Sequence, residues 1–333
     1  MIRASLPALL LLTTQLSVPG ADWQPVPVHR ITPEKPGYGG LCGIVVDHET
    51  GDVFVDVSDL GFYRSADQGA AWKHVSAPPL KGRTESPGCW TINPTGQDKT
   101  MVTALVYGAP ITVGTESASG FKHFDKRSEH IDWCAVDWTD PAMGFVLALK
   151  HEQAGLLIAS NDGGQSFRDV GKGFISGWVF DGKTAVVARE GPEPTLQRTT
   201  DAGHTFVSCG GFMPAGNASA RALPKWKDGS LYWLTRQGLI VTDDKGLSWN
   251  KLSDVPKGLY GPVFGKTVKH QFLVTTEGVV ESLDGGITWS KPIPPPAELG
   301  GLAGLTWLEY DPQHDVLYLM KMTSDLFRLN RGG

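Results

Sequence analysis

The chain of 333 residues carries 30 Lys+Arg against 35 Asp+Glu, a formal net charge of −5 with no basic run, which excludes a general affinity for nucleic acid. Gly (41) and Pro (23) are too frequent for long helices and suit many short strands joined by turns. With 11 Trp and 13 Phe, the composition is that of a packed core rather than of disorder.

At the N-terminus, Arg3 precedes the apolar run LPALLLL (6–12), which is too short to span a bilayer, and Val18 and Gly20 supply small residues before Ala21. The pattern predicts a signal peptide over residues 1–20, removed to leave a mature chain of 21–333. The expected location is therefore secreted or periplasmic, with no membrane span after cleavage. Cys42, Cys89, Cys134 and Cys209 allow two disulfides in three possible pairings. No CxxC or HxxxH spacing occurs, which argues against a zinc site. Neither a metal nor a cofactor is expected.

Further along, one segment recurs: RSADQGAAW (64–72), ASNDGGQSF (159–167), RTTDAGHTF (198–206), VTDDKGLSW (241–249) and ESLDGGITW (281–289). The shared positions are Asp67, Gly69 and Trp72; Asp162, Gly164 and Phe167; Asp201, Gly203 and Phe206; Asp244, Gly246 and Trp249; Asp284, Gly286 and Trp289. The spacing predicts a tight hairpin turn in which Asp accepts turn N–H groups, Gly takes a positive φ and the aromatic starts the next strand. A device repeated five times along a chain is structural rather than catalytic or calcium-binding.

Each segment follows an apolar run such as GLIV (238–241), an earlier alternating run such as SLYWLT (230–235) and a third such as GLTWLEYD (304–311). Four strands per unit make the blade of an all-β propeller, with strand A innermost, strand D outermost and the Asp turn between C and D. Two degenerate turns, at Ala118 with Gly120 and at Arg331, complete a series at 67, 118, 162, 201, 244, 284 and 331. Seven four-stranded blades of about 45 residues result. The last blade lacks strand D, and ADWQPVPV (21–28), with Trp23 as the aromatic, is predicted to supply it and close the ring.

The pattern S/T-x-D-x-G-x-T/S-W, carried by TTDAGHTF, TDDKGLSW and SLDGGITW, resembles the Asp-box or BNR repeat. That repeat occurs in sialidases, xyloglucan-cleaving glycosidases, sortilin-type receptor domains and propellers that assist photosystem assembly. The resemblance implies the propeller fold, but this superfamily mixes hydrolases with binding proteins. A sialidase would need an Arg-Ile-Pro motif, which HRITP (29–33) matches only loosely because Thr32 interrupts it. Sialidases of this superfamily also have six blades. Arg189, Arg221 and Arg236 are available as an arginine triad and Tyr260 as a nucleophile, but no motif assigns them.

If the Asp turns occupy one face, ligands are expected on the other, at the mouth of the central channel, where the D–A and B–C loops gather. The charged candidates there are His130, Lys150, His151, Glu152, Arg189, Arg221, Arg236, Glu277 and Lys321, with Asp132, Glu190 and Tyr260 as the catalytic candidates and Glu85 nearby. Trp90, Trp133, Trp178 and Trp307 fall on strands A and are expected to fill the wedges between blades. Cys42 and Cys89, on neighbouring inner strands, are the preferred disulfide pair. The sequence points first to a monomeric binding or assembly module for a protein or glycan ligand. The second reading is a glycoside hydrolase, which needs a carboxylate pair in a shared cleft.

Overall fold

The computed structural model describes residues 22–76, 82–96, 98–114, 122–190, 195–212, 222–255 and 257–332. They form a seven-bladed β-propeller of antiparallel blades, with a single four-residue α-helix at Val28–Ile31. The inner strands are Gly43–Val46, Trp90–Ile92, Ile131–Val136, Phe174–Val179, Lys225–Lys227, Gly258–Phe264 and Thr306–Asp311 for blades 1 to 7. Seven apolar clusters lie one to each interface between neighbouring blades; the one between blades 6 and 7, for example, joins Phe272 and Val274 to Leu308 and Leu317. The core is therefore a ring of wedges, and no blade buries its apolar faces without both neighbours.

Trp133 and Trp307 are 0% and 2% exposed and act as wedge fillers. Trp133 also ties blade 3 to blade 4, its Nε1 donating to Ile175 O at 3.1 Å. Ring closure occurs where the sequence places it: Gln24–Val26 pairs antiparallel with Leu326–Asn330, Gln24 opposite Arg328 and Val26 opposite Leu326. Trp23 Nε1 donates to Pro294 O at 2.8 Å, which fastens the incoming strand to blade 6.

Three features depart from a uniform blade. In blade 6 the outermost strand is reduced to one bridge, Val279 with Ile293, because Pro292, Pro294, Pro295 and Pro296 carry no N–H for a ladder. Blade 5 gains an edge strand, Gly210–Gly211, running parallel to Ser248–Ser253. The connection into blade 2 forms a ribbon with that blade's B–C corner, Gly82–Arg83 pairing with Tyr107–Gly108. A Cβ on Gly82 would lie 2.2 Å from Tyr107 O, so the ribbon requires glycine there.

The expected disulfide between Cys42 and Cys89 is not formed, and all four cysteines are buried free thiols. Cys89 Sγ turns toward blade 3, donating to Ile131 O at 3.4 Å and Asp132 O at 3.2 Å, rather than back toward blade 1. Burial pushes the Cys42 and Cys134 thiols far up and the Cys209 thiol up to about 11, which keeps them protonated and unreactive.

Candidate functional site

The five aspartate turns lie on one face and repeat one hydrogen-bond pattern. In the turn at Asp201, Thr199 Oγ1 donates to the carboxylate at 2.7 Å, the Thr205 N–H at 2.9 Å and Thr205 Oγ1 at 2.6 Å, while the Gly203 N–H donates to Thr199 Oγ1 at 3.0 Å. Asp162, Asp244 and Asp284 repeat all four bonds. Asp67 keeps three, because Ala71 stands where the others have a hydroxyl. The bonds from the second hydroxyl and the turn N–H hold Asp162 and Asp284 down at about 2. The Gly203 φ is 80°, and the residue before each turn glycine is also left-handed, including Gln68, Ala202 and Lys245. Phe167 and Trp249 are buried, whereas Trp72, Phe206 and Trp289 are half-buried. The bonds to each aspartate carboxylate are made within its own hairpin, while the turn carbonyls of Gln68, Ala202, Lys245 and Gly286 accept from Arg328, Arg168, Arg198 and Ser253 of the neighbouring blades, so these turns hold the ring together. The degenerate turn at Ala118 lies outside the described residues.

The opposite face carries an unrepeated arrangement. The Arg83 guanidinium is stacked between two tyrosines, 3.6 Å from the Tyr38 ring centroid and 4.5 Å from that of Tyr107, and its Nε pairs with Glu85 Oε1 at 2.7 Å. Tyr107 continues the surface, with its ring 5.6 Å from His130 and 5.7 Å from His151, edge-on to both. His151 Nδ1 is 2.8 Å from Asp132 Oδ1, and Nε2 is 3.5 Å from Glu152 Oε1. Tyr38, Arg83, Asp59 and Tyr107 also line a shallow cavity of about 550 Å³. Tyr38 and Tyr107, at 37% and 38% exposed, are the exposed large aromatic rings among the described residues.

Local chain geometry builds this surface. Asp132 is the extra residue of a β-bulge at the start of strand A in blade 3, between Ile131 and Trp133. Blades 4 and 6 carry the same bulge, but with Ile175 and Leu259 at the extra position, so a carboxylate is re-aimed in blade 3 alone. Glu85, His130 and Glu152 all hold left-handed backbone, with φ of 53°, 54° and 54°, a conformation that costs a non-glycine residue of order 1 kcal/mol or more. Behind the ribbon, the buried Asp56 carboxyl accepts from Thr84 N at 2.8 Å and Thr84 Oγ1 at 3.0 Å, and so fixes the loop that carries Arg83. Burial, the largest influence, raises Asp56 to about 8 against the lowering from these Thr84 bonds. Asp59 Oδ1 accepts from Gly37 N at 2.7 Å and positions Tyr38 in the same way.

Of the sequence-predicted residues, His130, Asp132, His151 and Glu152 come together here. Lys150 is adjacent, but its ammonium is spent on the carbonyls of Arg127 and Glu129. The others do not join them. Arg189 lies over the Phe174 ring at 5.4 Å, Glu190 and Arg236 are exposed, and Glu277 pairs with Lys257 at 2.7 Å. Lys321 reaches Leu299 O at 3.3 Å, and Arg221 lies outside the described residues. Tyr260 is buried in the apolar cluster between blades 6 and 7, beside Lys225, without a described contact to the histidines. Sequence reasoning missed Tyr38, Arg83 and Tyr107. Their only sequence signal is a glycine beside each, Gly37, Gly82 and Gly108, marking tight backbone around an aromatic or cationic side chain. Among the described residues no group of three or more His, Cys, Asp or Glu is placed to hold a metal ion, and no helix is long and apolar enough to cross a membrane.

No family model matches the chain, and no curated protein matches it in sequence. Among solved structures it is similar to a GH74 enzyme from Niastella koreensis, with TM-score 0.62 and 15% identity over 89% of this chain and 44% of that one. It is also similar to the extracellular domain of a hybrid two component system from B. thetaiotaomicron, with TM-score 0.58 and 9% identity over 93% of this chain and 40% of that one. A third likeness is YCF48 bound to D1 peptide, with TM-score 0.51 and 12% identity over 94% and 98% of the two chains. The chain thus spans less than half the length of the first two, and at these identities the likeness is one of fold.

Proposed function

We propose that this protein is an extracytoplasmic binding or assembly propeller of the Asp-box type, which docks a protein or glycan ligand on the D–A/B–C face without chemically altering it. The observation that carries the reading is the rigid aromatic shelf, Tyr38 and Tyr107 clamped by Arg83 and flanked by His130. Exposed rings with fixed orientation stack on sugar faces or on peptide side chains at small entropic cost. Arg83 is already engaged by Glu85, so its role is to hold the rings rather than to capture a ligand carboxylate. Export is supported by the leader pattern of residues 1–20.

Surface plasmon resonance against a glycan and peptide panel tests the reading. Binding that disappears in Tyr107→Ala while the fold persists is the expected result. The hydrolase alternative rests on Asp132 and Glu152, which flank His151, and on the GH74 likeness in fold. Turnover of xyloglucan or an aryl glycoside that vanishes in Asp132→Asn or Glu152→Gln would replace binding with catalysis.

A further inference from the structure

The other end of the channel opens among the A–B turns into a cavity of about 730 Å³, far from the aromatic shelf and within the size range of small-molecule sites, about 300–1,000 Å³. Trp90, Trp178 and Trp226 are among the residues that line it. Trp90 and Trp178 are only 6% exposed, so they are fixed in place by the blades behind them. Lys225 and Glu309 line the interior, and Tyr260 stands against Lys225, whose Nζ is 5.3 Å from the phenol ring centroid.

The charges in this cavity do not cancel pairwise. No described carboxylate lies within salt-bridge distance of the Lys225 ammonium, which has the Tyr260 phenol as a close neighbour and Glu309 further off. Burial lifts the Glu309 carboxyl to about 7, against the pull of Lys225, so near neutrality much of it is uncharged. At the mouth, Asp47 is taken up by Lys99 at 2.8 Å. Burial and the nearby Lys227 and Lys225 hold His48 down at about 4, leaving it neutral. Against the lowering effect of burial, the Tyr260 phenol and Glu309 raise Lys225, so its ammonium stays charged beside a carboxyl that is in good part uncharged near neutrality, and an entering anion would meet a net positive charge.

We propose that this cavity binds a small organic carboxylate with a planar apolar body, its carboxylate on the Lys225 ammonium and its body between the tryptophans. The three side chains come from blades 2, 4 and 5, so the site exists only in the closed ring. It is separate from the shelf, and its occupant does not compete with a ligand on that face.

The probes are phenylacetate and indole-3-acetate, titrated calorimetrically into the full-length protein beside their neutral amides. Saturable binding of at least one acid is expected, with the matching amide weaker by about tenfold or more, as loss of a charge-assisted contact requires. Lys225→Gln should erase that preference and Lys225→Arg should keep it, while Tyr107→Ala on the opposite face should leave the titration unchanged. Absence of saturable binding by either acid to the folded wild type overturns the proposal, as does equal affinity for acid and amide. If Lys225→Gln does not fold, Trp226→Ala replaces it: a drop of about tenfold in acid affinity supports the site, and unchanged affinity removes it.

Discussion

On one face of the ring, five aspartates each organise a hairpin from hydrogen bonds made within five residues of chain. On the opposite face, Tyr38, Arg83, Tyr107 and His151 together span more than a hundred residues of sequence and meet because blades 1 to 3 are neighbours. The carboxyls follow the same division. Turn hydrogen bonds hold Asp162 and Asp284 down at about 2, whereas burial holds Asp56, behind the shelf, up at about 8. Repeated, local and charged groups build the scaffold; single, non-local and partly desolvated ones build the surface on which a ligand can act.

The strongest way to break the comparison is to open the ring that both faces share. Removing residues 324–333 takes away the strand Leu326–Asn330, which pairs with Val316–Lys321 on one side and Gln24–Val26 on the other. Leu326, Phe327 and Leu329 are buried, and at about 1.5–3 kcal/mol for each large apolar side chain their loss rivals the whole stability of about 5–15 kcal/mol. A 1–323 chain should lose its cooperative melt. An unchanged midpoint would show that closure is dispensable.

The pH dependence separates the two sets of carboxyls. The folded pKa of Asp56 lies above its unfolded value, so the stability it contributes is fully present below about 4 and is lost as pH rises toward 8. The turn aspartates have the opposite sign: their contribution is present above about 4 and lost as pH falls toward 2. Urea midpoints measured from pH 4 to 8 should therefore decline for the wild type and flatten for Asp56→Asn, a difference of at most a few kcal/mol at the alkaline end. Parallel curves for the two proteins would mean that Asp56 is ionised in the fold.

A smaller loss is expected from a single turn. Asp244→Ala leaves the Ser248 N–H and the hydroxyls of Thr242 and Ser248 without their acceptor, comparable to removing a helix cap, about 1–2 kcal/mol in chemical denaturation. Ligand binding at the shelf should be untouched. A loss of binding at full stability would give the turns a role that their internal hydrogen bonding does not suggest.

What was legible in the sequence follows the same division. The turn chemistry, the blade count and the closing strand could be read because each is a local pattern or a repeat of one. The candidate site was half legible: His130, Asp132, His151 and Glu152 stand out as charged groups at blade corners, but the bulge that aims Asp132 is silent in sequence. Tyr38, Arg83 and Tyr107 escaped because they lie in connections of blades 1 and 2 and are joined only by a ribbon across them. Cys42 and Cys89 were paired wrongly for a related reason. Adjacent inner strands bring the two residues near each other, but side-chain direction sends Cys89 toward blade 3.

The smallest expected effect on stability is the most telling for function. Tyr107→Ala removes a 38% exposed ring whose partners are Arg83, His130 and His151, so its stability cost should stay within about 1 kcal/mol, the loss of partly exposed cation–π and edge contacts. Arg83 retains Tyr38 and Glu85, so the rest of the shelf should persist. Near-native stability together with lost ligand binding would place the ring at the contact itself. If Tyr107→Ala instead destabilises the protein as much as Asp244→Ala does, the stack is a structural clasp for the ribbon, and both faces of the ring are scaffold.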